Sequence, residues 1–224
     1  NLKGFDLSGA DLSNATLRYV DLSEADLTGA DLTDADLDKV NFSGTIIDES
    51  TKIAPKWRLV WEIANQGGKN KDLSNVDLSH AYLEGVNLNG AVLDGANLSN
   101  THLREVNMNW AKLINADLSS ARLSLVNLSS AKLINANLTD AILEKSYLKN
   151  ADFGGADLIR VGIWDTQIDN TINFIGADFS GTSFRQITID ENTKIDAKWR
   201  FVWEIVNHGI IGKDLTNADL RGAD

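Results

Sequence analysis

The 224-residue chain has no cysteine, one proline and one methionine. Without thiols it can form neither disulfides nor thiolate metal sites, so cysteine usage leaves the redox compartment open. No apolar run approaches the roughly 18 residues of a membrane-spanning helix, and no signal peptide is visible, so no membrane insertion is expected of this segment. Basic residues are also few: 21 Lys and Arg against 32 Asp and Glu give a formal charge of −11. A nucleic-acid binder needs clustered cations to neutralise phosphates, so this balance argues against direct binding of that kind. The chain starts at Asn1 without Met and stops at Asp224 in mid-repeat, which suggests a piece of something longer.

What fills the chain is a rhythm of five. From Leu73 to Ile168 every fifth residue is apolar; sixteen of these twenty are Leu, and the others are Met108, Phe153, Ile163 and Ile168. Two positions before each stands a small residue, Ala in eleven cases, with Lys71 the exception at the start. Five matches neither the 3.6 of a helix nor the 2.0 of a strand, so the apolar residue can point inward every time only if each unit contains a turn. The chain must wind.

A longer period gives the size of one coil. The small position is Val at 86, 106 and 126 and then Ser146, and Val20 and Val40 show the same spacing. The hexapeptide Ala-Lys-Leu-Ile-Asn-Ala at 111–116 recurs at 131–136. Twenty residues therefore make a coil of four sides, stacked about 4.8 Å apart. Ala10-Asp11-Leu12, Ala25-Asp26-Leu27, Ala96-Asn97-Leu98 and Ala156-Asp157-Leu158 carry a resemblance to the pentapeptide-repeat family. That resemblance implies an all-β solenoid, the right-handed quadrilateral β-helix.

The rhythm breaks twice. Residues 54–71 separate a first array (1–53) from a second (72–195), and residues 196–213 separate the second from the start of a third (214–224). Pro55 opens an apolar stripe of Trp57, Val60, Trp61 and Ala64 at helical spacing, widened by Leu59 and Ile63 and closed by Gly67. Residues 190–215 repeat 48–73 without a gap, 142 positions later, with Trp199 and Trp203 as counterparts and Asp196 as an expected N-cap. Solenoid ends expose an open core and unpaired backbone, so each helix is expected to cap the array before it. The step between core residues also lengthens to six at 48–53, 168–174 and 189–195, as at a corner bulge.

Stacked Asp and Asn positions (Asn87, Asn107 and Asn127; Asp77, Asn97, Asp117, Asn137 and Asp157) read as a structural ladder bonding to adjacent turns. With alternate members neutral it is a poor cation site. Departures from the repeat are better candidates for an interaction surface. Tyr82, His102 and Arg122 occupy one column where the repeat favours Asp or Asn; Lys112 and Lys132 occupy the opposite one. Beside the lysines lie Ile114 and Ile134, with Trp110 at the adjoining corner, a plausible contact patch. His80, His102 and His208 assemble no triad, and a Leu-filled rod offers no catalytic pocket. No catalytic residue, cofactor or metal is expected.

The leading expectation is a non-enzymatic scaffold presenting these columns to a protein partner, as a monomer or with weak end-to-end association. Some proteins of the resembled family act on DNA gyrase as mimics of duplex DNA. Here residues 2–47 carry nine acids against three bases, but 73–168 carry ten against seven, and two lysines stack, so an acidic mimic is the second expectation. A spacer or regulatory module of a larger protein is the third. The Lys-Trp-Arg-x-Val-Trp-Glu-Ile segment resembles cyanobacterial members, for which the cytoplasm is favoured here over thylakoid lumen or periplasm.

Overall fold

The computed structural model describes all residues except 167, 169, 170, 185–188, 210, 212–214, 217 and 224. Each five-residue unit makes one straight side and one corner. At a corner such as 78–81 the Ala81 N–H donates to the Leu78 carbonyl at 3.2 Å, and the third residue, His80, takes a φ of 61°. That left-handed φ suits Gly and Asn, which occupy many corners. Larger residues also stand there, Trp110 at φ 61° among them.

The sides stack in parallel at the twenty-residue period. Asp77 pairs with Asn97, Asn97 with Asp117, Asp117 with Asn137 and Asn137 with Asp157. One side lengthens into strands β1 (Arg122–Ser124), β2 (Ile142–Glu144) and β3 (Gly162–Trp164), in the order β1-β2-β3. Two more short strands, β4 (Asn173–Phe174) and β5 (Lys194–Ile195), pair near the end of the second array. The fifth-position leucines and the small residues two before them form one buried core, with Leu78 through Leu143 almost wholly excluded from solvent. Where Ser146 and Thr166 replace Ala at the small position, the hydroxyl is satisfied by a carbonyl of the coil below. Ser146 donates to Leu123 O at 2.7 Å and Thr166 to Leu143 O at 3.0 Å.

The Asp and Asn columns stack as expected, but most of their bonds are local. Asp77, Asn97 and Asp117 each accept the backbone N–H two residues ahead, at 2.9–3.0 Å, fixing their own corner. Bonds between coils are fewer, such as Asn137 Nδ2 to Asp117 Oδ1 at 3.1 Å. The reason is reach: the i+2 amide lies beside the carboxylate, whereas a neighbouring coil must supply an amide donor.

The lengthened steps are absorbed without losing the stack. Leu32 N–H bonds to Lys52 O, twenty residues on instead of the usual nineteen. Asp48 accepts from the Thr51 N–H and its own N–H bonds Thr51 Oγ1, closing the extra residue into a turn. Asp190 and Thr193 repeat both bonds. Phe153 N–H likewise reaches Asn173 O, although residues 169 and 170 of that step lie outside the described set.

The two interruptions are helices, α1 (Pro55–Gln66) and α2 (Ala197–His208). Pro55 starts α1 and Gly67, at φ 72°, ends it by donating to Ile63 O. Asp196 holds the N-cap position of α2, yet its carboxylate accepts no bond from the helix; it takes the Gly176 N–H at 3.0 Å instead. Backbone stacking of the second array already includes Gly68, whose N–H bonds Asn87 O. Gly68 takes the place of a core Leu because a Cβ there would come within 2.7 Å of the Leu88 side chain.

Candidate functional site

Each helix caps the array before it, through side-chain donors aimed at carbonyls left open on the last coil. Arg58 reaches Asp48 O at 3.2 Å and Thr51 O at 2.6 Å, Trp61 Nε1 reaches Thr45 O at 2.7 Å, and Asn65 Nδ2 reaches Phe42 O at 2.9 Å. In α2, Arg200 takes Asp190 O and Thr193 O, and Asn207 takes Phe184 O. Trp57 and Trp199 are buried, and Lys56 and Lys198 lie over their rings at 4.9 and 4.6 Å. Trp61 and Trp203 are half-buried. These four indoles therefore belong to the fold's end-caps.

Trp110 differs. Its indole is 65% exposed at a corner, and the lysine side follows directly along the chain. Lys112 pairs with Lys132 in the ladder, and Asn115 N–H bonds Ile134 O, so Ile114 and Ile134 stand in adjacent coils. Both isoleucines are half-buried; Ile175, further along the same side, is half-exposed. Lys132 pairs with Asp152 at 3.3 Å. Lys112 has no carboxylate at ion-pair distance among the described residues.

Tyr82, His102 and Arg122 are brought into a different setting, on the opposite side of the rod. Tyr82 pairs with His102 and His102 with Arg122 in the ladder; the first two rings stack at 4.8 Å and 25°. The Tyr82 hydroxyl donates to Glu84, which also receives Arg104. Burial, with that bond, pushes the Tyr82 phenol up to about 12. Burial holds the His102 imidazole below its ordinary value, and the charges of Arg122 and Lys39 act the same way, against Glu84.

Lys39 belongs to the first array, and its influence here shows how the arrays meet. Within an array a corner N–H donates to a carbonyl nineteen residues on; Lys39 N–H instead bonds His80 O, 41 residues on, at 2.8 Å. Asp38 stands 3.2 Å from His80 Nδ1. Around the rest of the junction α1 fills the gap, with Lys56 bonded to Ser79 and Asp77, and Glu62 to Lys71. At the touching corner a cleft of about 370 Å³ opens between the arrays, lined by Tyr19, Asp21, Lys39 and Asn41 from one and Tyr82, Thr101, His102 and Arg122 from the other. Column spacing gave Tyr82, His102 and Arg122; the first set could not be found from periodicity. His208, the remaining histidine, packs edge-on against Trp203 at 5.1 Å. Among the described residues no group of His, Asp or Glu could hold a metal ion, and no helix is long and apolar enough to cross a membrane.

Known proteins agree with this architecture. The family of pentapeptide repeats matches in eight copies over residues 1–45 and 72–158, more than half of the chain. A trypsin-treated variant of QnrB1, a plasmid-mediated fluoroquinolone resistance protein, is 17% identical, with 91% of this chain and 88% of that one covered at a TM-score of 0.55. This likeness is one of fold. A pentapeptide repeat protein of the Arabidopsis thaliana thylakoid lumen is 31% identical over 44% of this chain and 72% of its own, with a TM-score of 0.29. HetL of the cyanobacterium Nostoc sp. strain PCC 7120, involved in heterocyst differentiation regulation, is 27% identical over 81% and 85%, with a TM-score of 0.22. No curated protein sequence gives a significant match. The chain belongs to the pentapeptide repeat family and folds as its right-handed quadrilateral β-helix.

Proposed function

We propose that this chain is a non-enzymatic scaffold that docks a protein partner on the side carrying Trp110, Lys112, Ile114, Lys132 and Ile134. The observation that carries this reading is the exposed indole of Trp110, held at a left-handed corner where Gly or Asn would be less strained. Interface anchors are enriched in Trp, and a rigid rod fixes this one without ordering cost. The adjacent isoleucines extend the apolar area, and the lysines select an acidic rim on the partner. The same lysines weigh against mimicry of DNA, whose negative charge is unbroken.

Capture from an extract of the source cells, followed by binding measurements on the captured partner, tests the proposal. Trp110→Gly removes the indole at a φ that Gly accepts freely, so folding should be kept while affinity falls at least tenfold. Ile114→Asp with Ile134→Asp should abolish capture. A partner retained at full affinity by both variants would assign the docking surface elsewhere.

A further inference from the structure

The cleft between the arrays is absorbed neither by the caps nor by the Trp110 side. Its polar groups divide into those already engaged and those still open. The Asp21 carboxylate accepts the Ser23 N–H and Asn41 Nδ2, and the Asn41 oxygen accepts the Ser43 N–H. Thr101 Oγ1 donates to Leu98 O at 2.6 Å. Glu84, just outside, is bonded to Tyr82 and Arg104. Of the cations, Arg122 and Lys39 remain. Among the described residues neither has a carboxylate at ion-pair distance; the Lys39 ammonium lies 5.5 Å from the Tyr19 ring centroid. Two cations, one from each array, therefore converge on a concave space walled by Tyr19 and the stacked pair Tyr82–His102.

We infer that this cleft is a binding site for a small planar aromatic anion, held by Lys39 and Arg122 and stacked on the Tyr82–His102 wall. The volume, about 370 Å³, falls in the range of small-ligand sites. An anion satisfies both cations, and the fork of Arg122 suits a carboxylate or a phosphate equally. The aromatic walls of Tyr19, Tyr82 and His102 favour a flat group, since rings offer contact area to another ring and little to a tetrahedral ion. A nucleoside monophosphate and an aryl carboxylate share this chemistry. Because the cations come from opposite arrays, a bound anion also bridges the junction.

The three histidines supply the readout. The His102 ring resonance, assigned by its loss in His102→Gln, is followed by NMR in the full chain during titration with adenosine monophosphate, benzoate and inorganic phosphate in turn. A saturable shift of His102, with His208 unmoved, is expected for at least one of the two aromatic anions and not for phosphate. Whichever aromatic anion saturates the shift identifies the source of the anionic group. Arg122→Gln and Lys39→Gln, both at the surface and compatible with folding, should each weaken that binding about tenfold. No saturable shift with either aromatic anion at millimolar concentration would overturn the inference. So would equal binding of inorganic phosphate, or affinity unchanged in both charge variants with the melting curve intact.

Discussion

The two helical modules are nearly the same sequence, set in different surroundings. In α1 the apolar face is closed on both sides: Trp57, Val60 and Ile63 are buried, with Val60 and Ile63 wholly excluded from solvent. In α2 Trp199 and Val202 are buried, but Ile205, the counterpart of Ile63, is only partly buried. Towards the preceding array the modules agree, with the same Arg and Asn donors on the same carbonyls. Towards the following array they agree only at the edge. Lys198 meets Asp219 as Lys56 meets Asp77, and Gly181 N–H bonds Gly222 O across the same 41-residue step as Lys39 and His80. The module therefore has two jobs that can be separated. It caps the array behind it by its own polar side chains, and its far face is buried by whatever coils come next.

The modules also differ behind the helix. Phe179 stands where the first has Leu37, Phe184 matches Phe42, and both rings lie against Trp199, at 6.0 and 6.2 Å between centroids. Phe153 and Phe174 continue this aromatic ladder into the core. Such ring pairs add about 0.5–1.5 kcal/mol each beyond burial.

The largest effect expected from breaking the comparison lies on the far face. Ile63→Ala should cost about 3 kcal/mol, as a cavity between two arrays, and Ile205→Ala about 1 kcal/mol. Paired thermal or urea unfolding curves measure this; equal losses would mean that the following array contributes nothing to helix burial. The near face should give no such gap. Arg58→Ala and Arg200→Ala each release two carbonyls and should each cost about 1–2 kcal/mol, within error of one another. Unequal losses would show that the caps are not equivalent.

The smallest effect concerns acid. Hydrogen bonds from Ser50 foremost, and also from Gly29 and Thr51, lower the Asp48 carboxyl to about 2. A carboxyl lowered on folding contributes stability above its unfolded value, about 3.9, and loses it as pH falls through the folded value. Melting temperature should therefore fall between pH 4 and 2, and Asp48→Asn should flatten that slope. An unchanged acid slope in the variant would remove Asp48 from the account of the first module's turn.

Much of this was legible along the chain. The fivefold recurrence of Leu identifies the inward position because a residue buried in every unit must recur at the length of that unit. The duplicated module identifies both helices, since Pro55, Gly67 and the apolar stripe are local signals. Asp196 was misleading for a physical reason. Its N-cap placement is local and correct, but a donor from the stack, the Gly176 N–H twenty residues earlier, takes its carboxylate. The Tyr82–His102–Arg122 column could be listed by counting twenties, yet nothing in that count identified what faces it.

By itself the sequence determined the winding, the four sides, the core and the two points where winding stops. All of these follow from periodicity, in which each residue's environment is set by neighbours five or twenty positions away. Only the tertiary structure decided which groups of the first array meet the second, so that Lys39 and Tyr19 face Arg122 across a cleft. That outcome depends on how the two arrays meet, through contacts such as Lys39 to His80 that depart from the nineteen-residue step within an array. Tyr19 and Arg122 stand 103 positions apart, and the meeting of the two arrays at the Lys39–His80 corner brings them into one cleft.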